Sequence, residues 1–225
     1  VQTCALPILT YAARRYAKAG YLTATIDYSL IAKGSPVTVY QMLDDIGHAM
    51  TALKAKTGEL GFSVDKLALS GYSAGGHLAM LYGYSRAQES PIPIVLVSAQ
   101  VGFTDFHPDT WSGKDGDFGL VTLLTGKQIT AATIANGETE KLVQSISPLS
   151  FVTERTVPSI VAFGRKDWLV RPRHYEKLVA AFKARGVEHT AIEFANSGHG
   201  LDADPASRDR FRQVSLEYLR RAFGY

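Results

Sequence analysis

Short apolar runs alternate along the chain with longer stretches in which apolar residues recur every three or four positions. The runs suit buried strands and fall at Tyr21–Ile26, Lys66–Ser70, Ile92–Ser98, Ser159–Phe163 and Thr190–Phe194. Helical spacing appears near Leu9–Ala19, Val39–Lys56, Gly76–Ser85, His174–Arg185 and Ala206–Ala222. In the last stretch Phe211, Val214, Tyr218 and Leu219 share a face, which predicts packing on a sheet. This alternation predicts an α/β fold: a mainly parallel sheet with helices on both faces. Residues 100–151 break the rhythm. They are glycine-rich and irregular, as expected of a lid or specificity loop beside a site.

Composition narrows the picture without naming a chemistry. A chain of 225 residues with 46% hydrophobic content suits one domain with a large core. Its 24 Lys+Arg and 21 Asp+Glu are interspersed, so no basic face for nucleic acid stands out. Arg165, Lys166, Arg171 and Arg173 cluster and read first as a solvated rim, with binding of anionic substrate groups as the alternative. No apolar run reaches the ~20 residues of a membrane span. The single cysteine, Cys4, excludes internal disulfides and thiolate metal sites, and no metal or cofactor is expected. Both a cytoplasmic and a secreted location fit these features, and nothing in them sets an oligomeric state.

The candidate chemistry lies in Gly71-Tyr72-Ser73-Ala74-Gly75-Gly76. A strand precedes it and a helix follows, so Ser73 sits at the apex of a tight turn above a helix N-terminus. Glycines two positions either side of the serine are expected to avoid collision with the neighbouring strand or helix. By composition alone, roughly 0.12 such Gly-x-Ser-x-Gly matches arise by chance, so the motif needs partners.

A serine hydroxyl becomes a nucleophile when a histidine takes its proton and a carboxylate orients that histidine. Of six histidines, His199 in Asn196-Ser197-Gly198-His199-Gly200 follows a strand end, where open α/β sheets place their sites. His48 reads as a helix polar-face residue, His77 as structural or second to the site, His107 as irregular, His174 as a cap or surface residue and His189 as exposed. Asp167 likewise follows a strand end. Its rivals are Asp105, Asp202 and Asp204, of which Asp105 is the best second choice. The resulting order, Ser73, Asp167, His199, differs from those of the two well-known serine-protease folds. Tyr72, Phe106, Trp111 and Trp168 are candidates for a substrate pocket, with Phe118 a further aromatic in the irregular segment.

On these residues the chain resembles the α/β-hydrolases of the esterase and lipase type, including acetyl-esterase-like and feruloyl-esterase-like enzymes. Further points of likeness are Ile26-Asp27-Tyr28-Ser29-Leu30 and Ser147-Pro148. The resemblance runs from Leu9 onward. It implies Ser73 as nucleophile, Asp167 as orienter, His199 as general base and the Ala74 N–H as one oxyanion donor. It implies a small-molecule ester as substrate and no cofactor. A prolyl-oligopeptidase-like peptidase and a non-catalytic hydrolase-fold binding protein are the alternatives.

The family's second oxyanion donor comes from a His-Gly-Gly-type loop, which is expected upstream of residue 1. Residues 1–8 resemble the translation of a sequencing-library adapter and are set aside as a non-native leader, an ordinary N-terminal loop being the alternative. The hydrolase domain is then 9–225, missing its N-terminal strands, one of which the family places between Tyr21–Ile26 and Lys66–Ser70. Such a chain, expressed alone, is expected to be poorly soluble or inactive, because unpaired backbone in a sheet is costly.

Overall fold

The computed structural model describes residues 11–31, 36–114 and 116–224. The proposed leader at 1–8 lies outside them. A first helix, α1, runs through residues 11–18, and an extended segment follows to residue 31. The longest helix, α2 (Val39–Glu59), starts at Thr38, whose hydroxyl accepts the Gln41 amide and satisfies one free N–H of the first turn. Its buried residues Val39, Met42, Leu43, Ile46 and Met50 repeat at helical spacing, so a single apolar stripe is covered.

Four parallel strands follow: β1 (Leu67–Tyr72), β2 (Ile94–Gln100), β3 (Ser159–Gly164) and β4 (His189–Phe194), in spatial order β1-β2-β3-β4. Between β1 and β2 lies α3 (Ala74–Ser85), between β3 and β4 lies α8 (Arg173–Ala184), and α9 (Pro205–Phe223) closes the chain. Every residue of β3 is buried, and its side chains alternate between two cores. Val161 and Phe163 join α2, α3 and α8 on one face; Ile160 and Ala162 join Phe211, Tyr218 and Leu219 of α9 on the other. The two covered faces expected from the apolar runs are therefore present.

Two expectations are corrected. The run at 21–26 forms no strand, and among the described residues the sheet ends at β1. A strand needs a neighbour to take its ladder hydrogen bonds, and no strand of the described residues lies on that side of β1. The segment is instead pinned to α2, where the Asp45 carboxylate accepts the Ser29 amide at 2.8 Å, and Leu22 and Ile26 stay exposed.

Residues 100–151 are also not irregular. They contain four short helices: α4 (Pro108–Trp111), α5 (Gly119–Thr125), α6 (Ala131–Ala135) and α7 (Glu138–Ile146). Thr130 and Thr133 form a reciprocal capping box on α6. Phe106, Val121, Val143 and Ile146 extend the α3 side of the core. Each such burial contributes about 1.5–3 kcal/mol. Helices of four to nine residues show too few turns for a periodic signal to rise above the glycines around them.

Candidate active site

The site is assembled at the carboxyl ends of the strands. Ser73 lies between β1 and α3 with φ 54°, a backbone state that side chains other than glycine rarely take. The strain is held by ordinary hydrogen bonds: the Ser73 amide donates to Gln100 at 2.8 Å, and the Ser73 carbonyl accepts the His77 amide at 3.0 Å. The turn therefore lifts Oγ above the first turn of α3.

Glycines make the turn possible, though not all for the expected reason. A Cβ on Gly71 would lie 2.0 Å from the Gly75 carbonyl oxygen, and one on Gly76 would lie 2.8 Å from that of Gln100. A Cβ on Gly75 would meet nothing within 4 Å. The close approaches are thus at Gly71 and Gly76. Gly102, just past β2, is equally constrained, since its Cβ would fall 2.5 Å from the His77 nitrogen.

The three residues expected to act together are within hydrogen-bonding reach. His199 Nε2 lies 2.9 Å from Ser73 Oγ, and its Nδ1 lies 2.8 Å from Asp167 Oδ2. With Nδ1–H donating to the carboxylate, Nε2 is left to accept the serine proton. The Asp167 side chain is fully buried and the His199 side chain about one-quarter exposed. The other carboxylate oxygen, Oδ1, accepts the amides of Leu169 and Val170, both at 2.9 Å. Three donors thus hold a desolvated charge, as its burial requires.

Two of the rival carboxylates, Asp105 and Asp204, are committed elsewhere. Asp105 accepts from Thr110 at 2.6 Å and from Lys177 at 3.0 Å. Asp204 takes Ser197 Oγ–H at 2.6 Å together with the Asn196 amide, and these bonds hold its carboxyl below the usual range. It staples the ends of the loop that carries His199.

Of the other histidines, His77 and His174 are buried and neutral. His77 Nε2–H donates to the Ile146 carbonyl at 2.8 Å, yet burial pushes its pKa down to about 4. His174 is not a surface residue. It sits on the buried stripe of α8 with Tyr175, Leu178 and Phe182, its Nδ1 accepts the Thr104 amide at 3.3 Å, and burial lowers its pKa to about 4.

The aromatic candidates separate clearly. Phe106 is 1% exposed and packs against Phe103 and His77, so it is core and not the wall of an open pocket. Trp111 is half-buried and donates Nε1–H to the Asp117 carbonyl at 3.0 Å. Trp168 is 80% exposed, next to Asp167. Tyr72 directs its hydroxyl to the main-chain carbonyl of His199, and its ring meets the imidazole edge-on at 6.0 Å. That contact has no signature in the sequence, since 127 residues separate the partners. In the basic cluster, Arg165 pairs with Glu176 and Glu193, and Arg173 with Asp109.

Among the described residues, no group of three His, Cys, Asp or Glu side chains could hold a metal ion, and no helix is long and apolar enough to cross a membrane.

A parallel sheet between helices, with a serine turn after one strand and an acid and a histidine after two others, defines an α/β-hydrolase. The BD-FAE family model matches residues 6–182, and the chain belongs to that family of α/β-hydrolase esterases. The sequence matches no curated protein. Solved structures share the fold at low identity. A truncated carbohydrate esterase from gut microbiota is 16% identical with a TM-score of 0.69, over 87% of this chain and 73% of that one. A thermophilic esterase of Thermogutta terrifontis is 19% identical with a TM-score of 0.65, over 87% and 68%. A puromycin-hydrolysing peptidase of Mycobacterium tuberculosis is 16% identical with a TM-score of 0.62, over 83% of this chain but 25% of that one.

Proposed function

We propose that this chain hydrolyses carboxylic esters of small molecules through an acyl-enzyme on Ser73. The observation that carries the reading is the continuous hydrogen-bond path from Ser73 Oγ through His199 to the buried Asp167. Membership of an esterase family gives it the reaction class.

Ser73 Oγ attacks the ester carbonyl carbon while its proton passes to His199 Nε2. The buried Asp167 carboxylate stabilises the imidazolium that results. The N–H of Ala74, the exposed first residue of α3, donates to the developing oxyanion, where loss of one such donor costs ~10²–10³ in rate. Collapse of the tetrahedral intermediate breaks the bond to the alcohol, which leaves with the proton from His199. Water, deprotonated by His199, then attacks the acyl-enzyme and releases acid and free Ser73.

Trp168, exposed beside Asp167, supplies an apolar surface at the rim, and the α4–α7 segment is the candidate for substrate selection. The likeness to a puromycin-hydrolysing peptidase keeps amide cleavage as the competing activity. Parallel assays with 4-nitrophenyl esters and the matching anilides test the choice. The esterase reading expects turnover of the esters well above that of the anilides; preferential anilide cleavage overturns it.

A further inference from the structure

We infer that Tyr72 is a positioning residue: its hydroxyl ties the loop bearing His199 to the nucleophile turn, fixing the base against Ser73. The inference rests on the serine-esterase reading of the same site.

The tether joins two segments far apart in sequence. Tyr72 ends β1 and directly precedes Ser73, whose amide is bonded to Gln100 of β2. Its O–H donates to the carbonyl of His199, so the residue next to the nucleophile grips the residue that must take the nucleophile's proton. The ring, edge-on to the imidazole with planes at 70°, limits sideways movement of the same group.

Apart from the Asp167 bond to the imidazole, the remaining anchors of the loop lie on either side of His199. Before it, the Lys166 amide donates to the Ser197 carbonyl at 3.0 Å, and Asp204 holds Asn196 and Ser197. After it, Leu201 has φ 51°, so the chain turns sharply and under strain. The Tyr72 bond acts at His199 itself. Burial, with the negative charges of Asp167 and Asp202, pushes the Tyr72 hydroxyl up to about 12, so it keeps its proton, and can donate, at neutral pH.

The consequence is geometric. A misplacement of 1 Å between reacting groups costs about 10²-fold in rate. Serine and histidine come from separate loops, and a bond between the neighbours of their reacting atoms keeps their separation from depending on two independent motions. Tyr72 therefore acts through His199 and not through the substrate. That differs from the pocket-wall role its sequence position suggests.

The test compares Tyr72→Phe with the wild-type chain. The substitution keeps the ring and removes the hydroxyl. The expected result is a kcat lower by about 10–100-fold, with KM unchanged across esters of different acyl length. Labelling of Ser73 by a fluorophosphonate should slow by a similar factor, because that reaction also needs the base. Amide hydrogen exchange should quicken over residues 196–203, while exchange in β3 serves as the control for an intact fold. An altered KM that depends on acyl length with kcat preserved assigns Tyr72 to the substrate wall and overturns the inference. Unchanged exchange over 196–203 overturns it as well. If the wild type neither turns over esters nor reacts with the probe while Y72F still loosens the loop, the esterase reading fails and the tether stands.

Discussion

Gly71 faces the carbonyl of Gly75 across the serine turn so closely that a Cβ would sit 2.0 Å from the oxygen. The end of β1 and the first turn of α3 are thus in backbone contact on either side of Ser73. Gly71→Ala must push α3 away from β1. It is expected to destabilise by several kcal/mol, within the range for overpacking a tight site, and to abolish activity. Gly75→Ala should behave oppositely in stability. Space is free there and alanine is the better helix former by about 1 kcal/mol. Denaturant titration of the two variants checks the contrast.

The aromatic residues give a second pair of opposed outcomes. Phe106→Ala empties a core position and should cost about 3–5 kcal/mol. Trp168→Ala removes an exposed ring and should leave the melting temperature within about 2 °C, since surface changes stay within about 0.5 kcal/mol. A change in KM for bulky esters is expected with Trp168→Ala alone. Thermal melts and steady-state kinetics on both variants separate the roles.

Stability should fall on mild acidification. Burial keeps His77 and His174 neutral in the native state, with pKa values near 4, whereas an imidazole in the unfolded chain titrates near 6.5. Between these values the unfolded chain binds more protons. Stability is therefore full above about pH 6.5 and declines as the pH drops toward 4, each histidine contributing on the order of 3 kcal/mol at the limit. Asp105 opposes the shift at His174 and Lys177 adds to it, both being close by. His77→Gln, whose amide can still donate to Ile146, should flatten part of the slope. Urea titrations at pH 7, 5.5 and 4.5 measure it.

Replacing Asp167 by asparagine should preserve the fold, because the side-chain oxygen can still accept the Leu169 and Val170 amides. It should lower kcat by about 10³–10⁴-fold, since the amide neither holds the required tautomer nor stabilises the imidazolium. Kinetics beside a thermal melt distinguish this from simple unfolding.

The residues of the candidate site were legible because each follows a strand end and a glycine: Ser73 after Gly71, Asp167 after Gly164 and His199 after Gly198. What placed them together was the parallel order of β1, β3 and β4, which the alternating apolar runs already implied. Other features depend on tertiary contacts that no local pattern encodes. The run at 21–26 has strand composition, but a strand exists only beside a partner. His174 has the sequence context of a helix start, yet α8 turns it inward with Tyr175. The bond from the Tyr72 hydroxyl to the His199 carbonyl joins residues 127 apart in sequence.

A Ser73 nucleophile activated by His199 reacts covalently with an electrophile that mimics an ester. Fluorophosphonate labelling followed by peptide mass spectrometry tests it most directly. A single adduct is expected, on Ser73, that is lost in Ser73→Ala and slowed by at least about 10³-fold in His199→Ala. An unlabelled Ser73 in the folded wild-type chain, or labelling that proceeds equally without His199, would contradict it.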